Sequence, residues 1–257
     1  MEIQVLEKSV REVKFTASGI TTAFANAFRR IATNEIPVLA VDSVDFFSNE
    51  SVLYNEVLAH RLALIPFAFD AKAMHTADEH EEGKTCSNCM VVFVLDKKGP
   101  CMVYAKDLKS SNEDVKPVYD DIPIVELFDK QKLKLEAKAI LGYGFDHAKC
   151  QAAIVNYRLY PKITVKNLEN PEEVMKASRG MITIKGGKAD VSPDFDLSQE
   201  ASKIAKPEGA LKIEGEPGKF IFSVESVSGL NAEQIIAIAL DRLKKLSKDF
   251  KKSLDSV

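Results

Sequence analysis

The chain has 257 residues, enough for one large domain or two to three small ones, and 46% hydrophobic residues beside 28% charged ones suit a globular protein with its own core. A formal net charge of −3 argues against a general nucleic-acid binder, because phosphate binding needs a clustered basic field. No apolar run reaches the roughly eighteen residues of a membrane span, and the first residues lack the basic and apolar regions of a signal peptide. Four cysteines then fit a reducing cytoplasm, where metal or thiol chemistry comes ahead of disulfides.

Ile3 and Val5, then Val10, Val13 and Phe15, predict two short strands by alternation. Ala17, Ser18 and Gly19 break that pattern. Ile20, Phe24, Ala27, Phe28 and Ile31 follow at helical spacing and predict a helix from about Thr21 to Thr33. Its other side carries Thr22, Asn26, Arg29, Arg30 and Thr33, and Pro37 ends it. Val38 to Phe47 is β-rich, and Glu56 to Leu64 reads as a second helix stopped by Pro66. Ala71 to Lys84 carries acids and histidines with few apolar anchors, which predicts a loop. Cys86 to Tyr104 reads as a hairpin, with Met90–Leu95 and Cys101–Tyr104 about a turn of Lys97, Lys98, Gly99 and Pro100. Leu133 to Ile140 alternates again, and Ile154 to Val165 reads as a further strand-pair element.

From about Asn167 to Gly215 large apolar residues thin out and turn formers gather (Gly186, Gly187, Pro193, Pro207), as in a small inserted module. Phe220, Phe222 and Val224 resume strand alternation. After Gly229 a long helix opens, with Asn231 as N-cap and Gln234 in the reciprocal capping position. Its apolar stripe is Ile235, Ile236, Ala239, Leu240, Leu243, Leu246 and Phe250. Arg242, Lys244, Lys245, Lys248, Lys251 and Lys252 crowd the same helix, interrupted by Asp241 and Asp249. A solvated face accounts for that charge better than a DNA contact.

Catalytic signals are sparse. The phosphate loop, the dinucleotide fingerprint and the nucleophile elbow all lack a match. His60 and Arg61 have no nucleophile or acid patterned nearby, so their expected role is to cap or link a half-buried helix. His147 and Lys149 are read in the same structural way, and Cys150 as packing. Cys86 and Cys89, in a C-x-x-C pattern, with Cys101 on the next strand can form three corners of a zinc tetrahedron. His80 or His75 would supply the fourth. Free or oxidisable thiols are the favoured alternative.

Three segments resemble one family. Residues Asn55 to Pro66 read NEVLAHRLALIP, close to the NEVLAHRLGLIP of the archaeal RNA polymerase D-subunit family. That family is related to the eukaryotic third-largest subunits and to the bacterial alpha amino-terminal domain. Ala25 to Ile31 matches its N-x-hydrophobic-R-R, and Ala139 to Lys149 its A-x-L-G-x-G-x-x-H-A-K. The resemblance implies an α+β fold, with an alpha-subunit-like dimerisation domain in three pieces, 1–48, 151–166 and 216–257. A β-rich domain at 49–150 and a small ferredoxin-like module at 167–215 would be inserted into it.

It also implies a non-catalytic assembly subunit of the cytoplasmic transcription machinery. The chain would pair with a smaller subunit, L, recruit small subunits N and P, and dock the large catalytic subunits. Phe24, Phe28, Ile31, Ile236, Leu240, Leu243, Leu246 and Phe250 would contribute to the interface with L, and Arg29 and Arg30 would lie near the second-largest catalytic subunit. The magnesium-binding triple-aspartate loop of catalytic polymerase subunits is missing, so nucleotidyl transfer is not expected here. Some relatives hold an iron–sulfur cluster in the second insert with a C-x2-C-x2-C-x3-C pattern. The corresponding residues here are Phe195, Ser198, Ala201 and Ala205, which offer no thiolate, so no cluster is expected. Met181, Ile182, Ile184, Val191, Leu197, Ile204 and Leu211 would hold the module together instead. A stand-alone metal or redox protein and a nucleic-acid module using the basic last helix are the alternative classes.

Overall fold

Alternation at the start of the chain becomes β1 (Glu2–Lys8) and β2 (Glu12–Ser18). Their turn is tied by Ser9 N–H donating to the Glu12 carbonyl at 2.7 Å and Glu12 N–H donating to the Ser9 hydroxyl at 2.9 Å. The computed structural model describes residues 1–71, 73–76, 89–185, 188–193, 195 and 200–255. They fall into two units interleaved along the chain: one of Met1–Lys8, Lys14–Asn26 and Asn156–Ser223, the other of Ser9–Val13, Ala27–Val155 and Val224–Val257. Mostly antiparallel sheets with few helices make the class α+β, as expected.

α1 (Thr22–Asn34) starts where Phe24 N–H donates to the Thr21 hydroxyl at 3.2 Å, which satisfies one orphan amide of the first turn. Ala25, Phe28, Ile31 and Ala32 are buried. Thr33, expected on the polar side, instead has a buried hydroxyl without a hydrogen-bond partner among the described residues. The reason is local: the Thr33 carbonyl accepts from Ala152 N–H at 3.2 Å, and a side chain at Gly144 would press on the Thr33 carbonyl and the Asn34 backbone. The segment after the Gly142 turn therefore covers this end of the helix.

In the second unit, β3 (Val38–Asn49), β10 (Lys132–Gly142), β5 (Met90–Lys98) and β7 (Lys109–Ser110) form a sheet in the order β3-β10-β5-β7. β10 is its antiparallel centre. It buries Leu133, Leu135, Ala137, Ala139 and Leu141, alternate residues that share one face. Opposite them on β5 stand Leu95, Phe93 and Val91. Phe67, in β4 (Phe67–Ala68), stacks on Phe93 with ring centres 4.3 Å apart, and α2 (Asn55–Ala63) adds Leu58 and Leu62. Each such large side chain contributes about 1.5–3 kcal/mol by leaving water. β4 also pairs with β8 (Lys116–Pro117).

The expected hairpin at 86–104 is corrected. β6 (Cys101–Tyr104) does not pair with β5 but with β9 (Pro123–Leu127), while β5 pairs with β10 and β7. The two chain segments 90–104 and 123–142 thus run antiparallel side by side through two separate ladders. Gly99 makes the crossing. Its N–H donates to the Gln131 carbonyl at 2.8 Å, and a Cβ there would collide with the Phe128 carbonyl oxygen. Backbone that close to a neighbouring turn excludes any other residue type.

The first unit holds a sheet in the order β1-β2-β14-β11, with β11 (Ala153–Val165) and β14 (Leu211–Ser226) as long strands. Residues 154–165 are one strand rather than a pair. Phe15 and Phe222 stack at 5.1 Å, and Tyr157 meets Phe220 edge-on at 5.8 Å. Between β11 and β14 the chain makes α3 (Pro171–Ala177), the pair β12 (Ile182–Lys185) and β13 (Lys188–Val191), and α4 (Glu200–Ile204). Val174, Ile182, Phe195, Ala201, Ala205 and Leu211 form its buried core.

α5 (Ala232–Asp255) closes the chain. Gly229 lies in its lead-in, where a Cβ would collide with the Phe67 carbonyl. Asn231 N–H donates to the Gln234 side-chain oxygen at 2.9 Å, which is the reciprocal half of the expected capping pair. Among the described residues no helix is long and apolar enough to cross a membrane.

Candidate interaction surfaces

α5 divides into an anchored start and an uncovered remainder. Ala232, Ile235 and Ala239 are buried, and no described residue after Ala239 is. Ile236, Leu243 and Leu246 are half-buried, while Leu240 is 42% exposed and Phe250 68%. The expected stripe ended at Phe250, but Leu254, 60% exposed, extends it. Its spacing of four from Phe250 was the available signal. Large apolar side chains on one face of a helix without internal cover leave a surface that water disfavours.

α1 treats the same kind of pattern differently. Phe28 is 3% exposed and Ile31 4%, so both face the interior of this chain. Phe24 and Arg29 are half-buried and Arg30 is exposed. Beyond the helix, Glu35 meets Arg242 of α5, carboxylate to guanidinium, at 3.4 Å.

A second apolar surface surrounds α2. Leu58, Leu62 and Ile65 are buried, whereas Val57, Arg61 and Leu64 lie on the outer side with Tyr54. The i, i+4, i+7 spacing of Val57, Arg61 and Leu64 is present in the sequence, but the inward leucines alone suffice to explain a helix there. Arg61 donates from Nη2 to the Pro123 carbonyl at 2.6 Å, the linking role expected of it. Beside it Val52, Leu53, Met102, Ile124, Val125 and Phe128 line an open groove of about 320 Å³.

His147 and Lys149 also serve structure. His147 Nδ1 accepts from Lys149 N–H at 3.0 Å, and Lys149 Nζ reaches the Val41 carbonyl at 3.0 Å and Asp42 at 3.1 Å. Cys150 is buried, and its sulfur would lie 2.7 Å from a Cβ on Gly142. Burial pushes its thiol above the ordinary range, which suits packing rather than reaction. Of the expected zinc set, Cys89 is buried and Cys101 is half-buried with its thiol 3.6 Å from the Lys98 carbonyl. Cys86 and His80 lie outside the described residues. Among the described residues, no three histidine, cysteine or acidic side chains are grouped to hold a metal. At the positions matched to cluster ligands, Phe195, Ala201 and Ala205 belong to the apolar core of the insert, and Ser198 lies outside the described residues.

Known proteins resemble this chain over nearly its whole length. The model of the RNA polymerase Rpb3/RpoA insert domain matches residues 31–158. The DNA-directed RNA polymerase subunit Rpo3 of Thermococcus kodakarensis is 38% identical over 261 aligned positions, covering 97% of this chain and 96% of its own length. The protein of the same name from Methanothermobacter thermautotrophicus is 37% identical, with 95% of each chain covered. That of Methanosarcina acetivorans is 33% identical, covering 100% and 99%.

Proposed function

The chain belongs to the Rpo3 family of DNA-directed RNA polymerase subunits, and we propose that it is a non-catalytic assembly subunit of an archaeal polymerase, working in the cytoplasm. It heterodimerises with subunit L and forms the platform on which the large catalytic subunits dock. The observation that carries this role is the outer two-thirds of α5, where Leu240, Phe250 and Leu254 are exposed on one face. A helix like this becomes stable when a partner completes its core, and obligate interfaces of that type bury on the order of 2,000 Å² or more. Ile236, Leu243 and Leu246 border the same contact, and Phe24 adds to the interface from α1. Arg30, with Arg29 beside it, meets the second-largest catalytic subunit through guanidinium forks suited to carboxylates and carbonyls. The α2 face and its groove serve contact with the small subunits N and P.

The dimerisation domain is assembled from 1–48, 151–166 and 216–257, with 49–150 and 167–215 as inserts. We read the second insert as ferredoxin-like in descent and without an iron–sulfur cluster, since apolar packing occupies positions where thiolates would stand. Cys86, Cys89 and Cys101 are read as thiols rather than zinc ligands. Metal analysis of the purified chain tests both statements: a stoichiometric zinc signal, or iron with sulfide, would refute them.

Co-expression with subunit L from the same source, followed by size-exclusion chromatography with mass determination, tests the assembly role. A soluble one-to-one complex is the expected result. A well-behaved monomer that ignores L would overturn it.

A further inference from the structure

Building on the assembly role proposed above, we infer that the partner surface receiving α5 carries a row of carboxylates, and that charge on α5 selects this partner over a second copy of the chain. Residues 240–255 hold six lysines and arginines against three aspartates, a net charge of +3, while the whole chain is −3 and the remainder therefore −6. None of Lys244, Lys245, Lys248, Lys251 and Lys252 makes an ion pair among the described residues. At 3.6 residues per turn, Lys244, Lys248 and Lys251 line one border of the stripe made by Leu240, Leu243, Phe250 and Leu254. A lysine row there is not covered by this chain, since all three residues are exposed. It sits instead where the rim of an interface would lie, and rim charge governs orientation, association rate and choice of partner more than raw affinity.

The same row acts against self-pairing. In an isologous two-fold contact each copy offers the same patch. Two antiparallel copies of α5 would bring both lysine rows to the same side of the contact, with only Asp255 of each copy on that border to offset them. Apolar complementarity alone would permit a homodimer, and like charge at its border disfavours it. A partner with an apolar groove and acidic side chains along the matching border satisfies both parts of the surface.

The test uses the co-expressed complex of the full chain with subunit L, diluted at about 50 mM and about 500 mM salt and followed by sedimentation or mass photometry. The dissociation constant rises about tenfold in high salt, because screening shortens the reach of rim charges. At low salt, the triple change Lys244→Glu, Lys248→Glu, Lys251→Glu weakens the complex by about tenfold or more. The corresponding Gln variant, which keeps helix propensity, falls between and self-associates more than the parent. Circular dichroism confirms that each variant is folded. A complex whose affinity ignores both salt and substitution overturns the inference while leaving the assembly role intact. A parent chain that never binds L overturns both. A parent chain that forms a stable homodimer at low salt overturns the selectivity. So does a Glu variant that binds L normally but loses affinity for a short DNA duplex, which would assign the lysines to nucleic acid.

Discussion

α1 and α5 carry apolar stripes that look alike in sequence and end differently. α1 turns Ala25, Phe28, Ile31 and Ala32 into the interior, whereas α5 is buried only through Ala239 and leaves Leu240, Phe250 and Leu254 to solvent. The difference lies in what surrounds each helix. The segment after Gly142 covers the end of α1, and the lead-in at Gly229, pressed on β4, seats the first turns of α5. Past that seat, no described residue of α5 is buried. An amphipathic period reports that a face must be covered, but not by which chain.

The sharpest way to break this comparison is Phe28→Ala. Loss of a buried phenylalanine should cost about 3–5 kcal/mol of stability, read by denaturant melts, whether or not L is present. If it instead leaves stability unchanged and only weakens assembly, α1 is an interface helix like α5. The converse is the double change Leu240→Asp, Phe250→Asp. It should leave the unfolding free energy of the soluble chain within about 1 kcal/mol, since neither side chain is buried, yet weaken the L complex by at least about tenfold.

Smaller effects sharpen the same contrast. Gln234→Ala removes the acceptor for Asn231 N–H at the anchored start of α5 and should cost about 0.5 kcal/mol, the loss being limited because water can replace an exposed partner. Asp107→Asn supplies a control that acts on folding alone. Asp107 is opposed by burial, but its hydrogen bonds from Lys97 at 2.7 Å and from Tyr104 N–H at 2.9 Å hold its carboxyl below the usual carboxylate range. A lowered folded pKa gives stability that is present above the unfolded value and lost as pH falls through the folded one. The parent's small advantage over Asp107→Asn should therefore be constant near neutrality and vanish in acid, with L binding at neutral pH unaffected.

Much of the architecture was legible from residue pattern. β10 alternates buried and half-buried residues along its length, as Leu133 to Ile140 implied, and Asn231 with Gln234 marked the start of α5. Strand pairing was less legible. A short loop with Gly99 and Pro100 between two apolar runs is the ordinary signature of a hairpin, but β6 pairs with β9, and the close approach of Gly99 to Phe128 is a fact about another part of the chain. The outer face of α2 was illegible for a related reason. Leu58 and Leu62 explain the helix at 55–63 without it, while Val57, Arg61 and Leu64 acquire meaning only once the groove beside them exists.

Sequence by itself determined the family, the helix and strand periods, and the lack of thiolates at three core positions of the second insert, because these depend on residue identity and local spacing. Tertiary structure decided which apolar faces are closed within the chain and which remain open. Burial is a property of neighbours brought together from distant positions, as when Glu35 meets Arg242 or Phe67 meets Phe93, and no local pattern encodes how far that cover extends.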